Sequence, residues 1–403
     1  MRPPYLVLDL GSSQIKALVA QPSLNGDYEI LLSLIKNSQG IKHGIINDPE
    51  ALAKTLEDLL LEISKTNKRL NFNEAVTGIG GGYLEVKNSK GTVVISRSSQ
   101  EVTEEDMEKA IQAAEAFALP LNRSLVQSVL KNFRVDGGEK IKDPSGMKGI
   151  KLEAEIILID TFSPVIKSLE KVGEYIGLNF AYKFVLPLAG AEAVLKDKDK
   201  DLGVMTIDFG AGTTSICVYE DNELIDLKVF PLGGNHVTND IAVGLKTYVD
   251  IAEEIKVNEG VAYNKKVGKN DFIDAQKYFQ GSGERISKKF LAEIIEARLS
   301  EILDLIAEEL KQIDRFCKLP AGIVIYGGGA KMPYLTDLIK DKLKLAVRFG
   351  KIEKENREEN QLEFIPALGL LNFLLREEPG KIFFKESHFL GKIFKPFWKF
   401  FNI

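Results

Sequence analysis

Two cysteines, three histidines and one tryptophan are all that this 403-residue chain holds of those types. Cys217 and Cys317 are too few for a disulfide framework or a cysteine zinc site, and His43, His236 and His388 are scattered. That thiol usage fits a reducing cytoplasm. No run of eighteen apolar residues exists, so no segment reads as membrane-spanning, and the first residues show no cleavable signal. Excess positive charge is lacking too. The 53 basic and 58 acidic side chains leave a net charge of −5, which argues against nucleic acid as a partner. With 44% hydrophobic residues, a chain of this length has the material for two or three cores.

What the sequence does contain is an internal echo half a chain apart. Aligning Asp9 with Asp208 superposes Gly11 on Gly210, with apolar stretches on both sides of each turn. Both segments, 5–19 and 204–218, read as hairpins with small, hydroxyl-rich turns, and two such hairpins imply two similar α/β halves. Between them, Asp48 and Pro49 open a helix with Leu52, Leu56, Leu59, Leu60 and Ile63 on one face. A strand at 75–79 ends in three glycines. A strand–helix–strand–strand pattern follows (84–95, 103–118, 125–135, 150–159), consistent with an inserted subdomain. Later, 239–244 and 251–260 look helical, a polar stretch runs to 283, and a long helix carries Phe290 through Ile313 at helical spacing. The charge runs 196–201 and 351–360 read as solvated loops.

Glycine at a strand end lets backbone approach a bulky anion, and a tight turn presents several N–H donors to phosphate oxygens. Ser12, Ser13, Thr213 and Thr214 add hydroxyls, and Lys16 adds positive charge. Asp9 and Asp208 would repel bare phosphate; they make sense around a hydrated Mg²⁺, which keeps its waters and uses few carboxylates. A third cluster, Gly327, Gly328 and Gly329, follows the apolar strand 323–326 and would let a ring or ribose lie against backbone. All three clusters end strands, where ligands collect in open α/β sheets. Together they point to a nucleotide.

These motifs resemble the actin-like ATPase superfamily, with 9–16 as first phosphate hairpin, 208–214 as second and 327–329 as adenosine motif. Segments 184–192 and 365–369 resemble the two connecting helices of its interdomain hinge. Within it the chain is most similar to the FtsA family of cell-division proteins, on the segments 231–242, 252–256 and 291–298 and on the insertion at 83–162. The resemblance implies an α/β, actin-like (ribonuclease-H-like, duplicated) two-lobed fold. Its parts would be subdomain 1A (1–82, 163–195, 363–376), subdomain 1C (83–162), subdomain 2A (196–235, 315–362) and subdomain 2B (236–314), then a linker (377–388) and an amphipathic helix (389–403). It implies ATP and Mg²⁺ as cofactors, with weak or no turnover. Asp9 and Asp208 would position the metal through water, while Gly11, Ser12, Ser13, Lys16, Gly210, Gly212, Thr213, Thr214 and Gly234 would surround phosphates. Lys256 and Met332 are nucleoside candidates, with a solvated lysine and a packing methionine as the ordinary alternatives. Glu192 falls where relatives orient the attacking water, or is simply a hinge carboxylate.

The tail is the other informative stretch. Seven of the 22 phenylalanines and the only tryptophan fall in its last 21 residues. On a helical wheel Phe389, Leu390, Ile393, Phe394, Phe397, Trp398, Phe400 and Phe401 fill one half, with Lys392, Lys395 and Lys399 opposite. Each lysine near an anionic surface contributes about 1 kcal/mol, and burying a large apolar side chain about 1.5–3 kcal/mol. Pro396 requires a bend or a restart. The resemblance implies a peripheral protein on the cytoplasmic face of the membrane at the division septum, held by this tail to anionic lipids. It implies self-assembly into filaments, tethering of the tubulin-like protein FtsZ, and recruitment of later division proteins. The FtsZ tail would dock near 236–314, where Lys288, Lys289 and Arg298 are candidate contacts or an ordinary solvated face. A PilM-like pilus scaffold and a small-molecule kinase of the same superfold are the competing readings.

Overall fold

The computed structural model describes residues 3–23, 28–68, 70–116, 119–278, 285–352 and 359–376. The tail segment and the linker before it lie outside the described residues.

Two five-stranded mixed sheets dominate, and they share one topology. In the first, the order is Asn179–Val185, Glu74–Ile79, Tyr5–Leu10, Gln14–Pro22, Tyr28–Asn37; in the second, Val347–Phe349, Ile323–Tyr326, Val204–Phe209, Thr214–Glu220, Glu223–Phe230. In each, the strand ending in aspartate pairs antiparallel with the strand after its turn and parallel with a later strand. The register is also the same: Asp9 lies opposite Lys16, and Asp208 opposite Ser215. The central strands are buried on both faces, as continuous apolar runs beside parallel neighbours should be. This is the duplication read from the two turns.

Helices cover the sheets. Pro49–Thr66 starts where expected, with the Asp48 side chain accepting the Ala51 N–H at 3.1 Å, a cap worth about 1 kcal/mol. The insertion is a three-stranded antiparallel sheet, Glu85–Val94, Lys151–Phe162, Arg123–Val135, with the helix Glu104–Glu115 on it. A β-carbon on Gly91 would collide with the backbone of Ala110 and Ala114, so this helix lies directly on the strand. The insertion has core clusters of its own, including Met107, Phe133 and Leu152.

The chain passes from the first sheet to the second through the helix Leu186–Val194 and returns through Ile365–Arg376. These two helices cross at backbone contact: a β-carbon on Gly369 would collide with the Ala189 carbonyl and lie 3.0 Å from Gly190 N. Two segments depart from the sequence expectation. The charged run 196–201 is a helix, Asp197–Leu202, rather than a solvated loop, because Asp199 accepts the Lys196 N–H and Lys200 is drawn into a buried ion pair. Within the polar stretch after residue 260, a two-stranded ribbon forms, Phe272–Asp274 with Arg285–Ser287, ahead of the long helix Lys288–Gln312.

Candidate functional site

The two hairpin turns face one another across the lobes. Gly212 is buried, and a β-carbon there would collide with Ser12 Oγ and sit 2.7 Å from Ser12 Cβ and 3.0 Å from His43 N. Ser12 Oγ accepts the Gly44 N–H at 2.8 Å, leaving its own O–H to donate elsewhere. Ser13 is exposed, and Thr213 partly so. Lys16 reaches back to Asp9, Nζ to Oδ2 3.4 Å, with both side chains largely buried.

The aspartates create the site's electrostatic tension. Asp208 is half-buried at its strand end; burial first and the Asp9 charge second push its carboxyl up to about 7, against the pull of Lys16. Its carboxylate lies against Gly327, which has φ 90° and whose β-carbon would collide with Asp208 Oδ1 and lie 2.6 Å from Phe209 O. Gly327 therefore makes room for the aspartate, a role the sequence reading did not give it. Around Gly328 the space is open. Two carboxylates from different lobes, one raised by the other's charge, form a donor set that a hydrated Mg²⁺ fits. Among the described residues no cluster of three or more His, Cys, Asp or Glu offers a tightly ligated metal site.

The floor of the second turn is stitched by backbone. Gly234 N–H donates to Gly210 O at 3.0 Å and Asn235 N–H to Ala211 O at 2.8 Å. They start the helix Gly234–Leu245; with the His236 N–H also donating to Gly233 O at 3.0 Å, its first N–H groups are spent on backbone, and what the helix start offers an anion is its dipole. Lys256 sits beside it but is already engaged, donating to Gly234 O at 3.2 Å, Thr238 Oγ1 at 2.8 Å and Glu253 at 2.6 Å. Met332 is half-buried just after the short 3₁₀ turn Gly328–Lys331.

Several sequence candidates are placed differently from expectation. The Thr214 side chain is buried and its hydroxyl donates to Leu232 O at 2.8 Å, so it is committed within the second lobe, whereas Thr213 is only partly buried. Glu192 accepts from Lys200 at 2.6 Å and from Tyr219 at 3.3 Å. Tyr219 lies opposite Val204, the end of the sheet away from the turn and about 17 Å along the strand from it. Glu192 is thus held in an ion pair with Lys200 at the hinge. Arg298 grips Asp240 through two bonds, 2.6 and 3.0 Å, and also meets Glu301; Lys288 pairs with Glu259 at 3.3 Å. Lys289 is half-buried. The membrane-binding candidates from Phe389 to Phe401 lie outside the described residues.

One pairing escaped the sequence reading. His43 and His236, which looked scattered, stand with ring centroids 5.2 Å apart, one from each lobe. No local pattern signals this, since only the lobe arrangement brings them together. On the segment 236–314, the exposed large apolar side chains include Val243, Tyr248, Val249 and Phe290, another feature invisible in a pattern of charges.

Comparison with known proteins follows the same lines. The model of the family described as "Cell division protein FtsA" matches residues 205–369, and that of the "SHS2 domain inserted in FTSA" matches residues 81–160. The cell division protein FtsA of Bacillus subtilis is 30% identical over 376 residues, covering 92% of this chain and 83% of that protein. FtsA of Borreliella burgdorferi is 31% identical, covering 90% and 89%. In fold, the chain is similar to a protein of the PilM–PilN type IV pilus biogenesis complex, with TM-score 0.64, 19% identity and coverage of 93% and 99%.

Proposed function

The chain belongs to the FtsA family of cell-division proteins and has an actin-like fold, and from that premise we propose that its cleft binds ATP with Mg²⁺. The observation carrying this reading is the meeting of the two glycine turns, with Asp9 and Asp208 on their strand ends. Gly11, Ser12, Ser13 and Lys16 would hold phosphates from one lobe; Gly210, Gly212, Thr213 and the helix start at Gly234 would hold them from the other. Asp9 and Asp208 would hold the metal through its waters, and the metal would neutralise phosphate charge. The 327–329 turn would face the nucleoside, beside Lys256 and Met332. A similar fold in MreB5 of Spiroplasma citri, TM-score 0.54 and 14% identical, was determined bound to ADP.

On the same premise, the protein works at the septum on the cytoplasmic face of the membrane. The 389–403 segment anchors it to anionic lipid, the body assembles into filaments, and the protein tethers FtsZ and recruits later division proteins. Residues 83–162 form the subdomain for self-association or recruitment, within the division of the chain proposed from sequence. For FtsZ docking we retain the 236–314 subdomain but place weight on Val243, Tyr248, Val249 and Phe290, because Lys288 and Arg298 already have internal partners.

Sedimentation with anionic vesicles tests the anchor. The full chain is expected to pellet and a chain ending at residue 388 to stay in solution; pelleting of both removes the tail assignment. Calorimetric titration with ATP, with and without Mg²⁺, tests the cleft. Saturable binding that Mg²⁺ strengthens is expected, and the lack of any binding would end the nucleotide reading.

A further inference from the structure

The contact between His43 and His236 is a cross-lobe contact made by titratable groups, and its hydrogen bonds define the state of both rings. His236 is the third residue of the helix Gly234–Leu245, and its Nδ1 accepts the Gly233 N–H at 3.2 Å. Its neutral ring therefore carries the proton on Nε2. His43 Nδ1 lies 3.4 Å from Gly212 O, an atom that only accepts, so this nitrogen carries the proton. Gly233 in turn is wedged under the second phosphate turn: a β-carbon there would lie 2.6 Å from Gly210 O, 2.8 Å from Ala211 O and 2.9 Å from Thr213 N. One ring thus reaches from the first lobe to the tip of the second turn, while the other braces the base of that turn.

We propose that His43 and His236 form a proton-sensitive latch that holds the two phosphate turns together when both rings are neutral and releases them when His236 is protonated. A proton on His236 Nδ1 would face the Gly233 N–H, donor against donor, and break the brace. It would also add positive charge beside His43 from the first lobe and Arg298 from the long helix. Burial first, then His43, then Arg298 hold the His236 pKa below its ordinary 6.5. A backbone bond with Gly233 and then the charge of Asp240, on the same helix, pull the other way, and Asp240 is itself engaged by Arg298. On the intervening helix Val249–Glu259, Glu253 and Lys256 are paired with each other beside Thr238. Because the closed arrangement favours the neutral ring, the latch is fully present above 6.5 and is lost as pH falls through the lowered pKa of His236.

The latch deepens the nucleotide reading, since it would adjust closure of the proposed ATP cleft, but it is measured without nucleotide. Spin labels on Glu57→Cys and Lys340→Cys, in a Cys317→Ser background of the full chain, report lobe separation by pulsed dipolar spectroscopy. Wild type is expected to open as pH is lowered from about 7.5 to about 5.5, with the open-to-closed ratio rising up to about tenfold, the effect of one unit of differential proton affinity. His236→Gln retains an acceptor for the Gly233 N–H without titrating, and His43→Asn suits the φ of 50° at that position. Each variant should flatten the response, leaving only what Asp208 contributes. A pH response as large as wild type's in both variants, or none in wild type, overturns the latch. If separation follows pH as described while ATP fails to bind, the latch stands and the nucleotide reading falls.

Discussion

In the first lobe the strand-end aspartate, Asp9, lies opposite Lys16; in the second, Asp208 lies opposite Ser215 at the same register. Backbone topology was duplicated, but charge compensation was not. Asp9 has its own ammonium group at 3.4 Å, whereas Asp208 meets Asp9's charge while partly buried and is raised to about 7. The second lobe adds Gly327, which seats the uncompensated carboxylate against bare backbone. One lobe therefore brings a cation, and the other brings a demand for one. Closing them around a hydrated metal and a polyphosphate satisfies both, a division of labour that equal hairpins would lack.

The largest effect should come from filling the space that only the second lobe provides. Gly327→Val combines a left-handed φ with collisions at Asp208 and Phe209, and should cost about 2–4 kcal/mol in denaturant unfolding and abolish ATP binding. Near-wild-type stability would show that the seat of Asp208 is not as tight as described. Next, Lys16→Ser gives the first hairpin the second one's chemistry. Its ATP affinity should fall about tenfold, one charged contact's worth, and depend more steeply on Mg²⁺ in calorimetry. An unchanged affinity would mean the lobes do not differ in the way proposed.

A smaller effect separates the aspartates by pH. Asp208 binds its proton more tightly folded than unfolded, so metal-free stability should fall as pH rises from about 4 to about 7 and level off above that. Asp208→Asn should remove this slope in thermal unfolding, and Mg²⁺ should reduce it in wild type; a slope that persists in Asp208→Asn assigns the tension to another group. The smallest effect is expected at Glu192. Since its carboxylate is held by Lys200, Glu192→Gln should change ATP turnover less than about threefold while lowering stability by about 1–3 kcal/mol through the stranded Lys200. A hundredfold loss of turnover would restore it as the water-positioning residue.

What was readable in the sequence was local or repeated. The duplicated Asp-x-Gly turns announced twin lobes because each turn sits at a fixed offset between apolar strands. The insertion's strand–helix–strand–strand order followed from switches between periods of 2 and 3.6. The Asp48–Pro49 helix start was legible from its cap. What escaped depended on partners far along the chain. Thr214 looks like Thr213 until its hydroxyl meets Leu232 O, and Glu192 looks catalytic until Lys200 folds back onto it. Arg298 looks exposed until Asp240 is brought beneath it, and two histidines become a pair only when the lobes meet. Lys200 itself, read as part of a solvated charge run, is buried because the run coils into a helix under the hinge.

The central claim is that carboxylates from both lobes are needed around one metal-bound nucleotide. Calorimetric titration of Mg²⁺-ATP into wild type, Asp9→Asn, Asp208→Asn and the double variant tests it most directly. The account predicts saturable binding to wild type and a loss of about 100-fold or more in the double variant, of the order of two charge-assisted contacts. Each single variant should recover only part of that loss. Equal affinity in wild type and the double variant would contradict it.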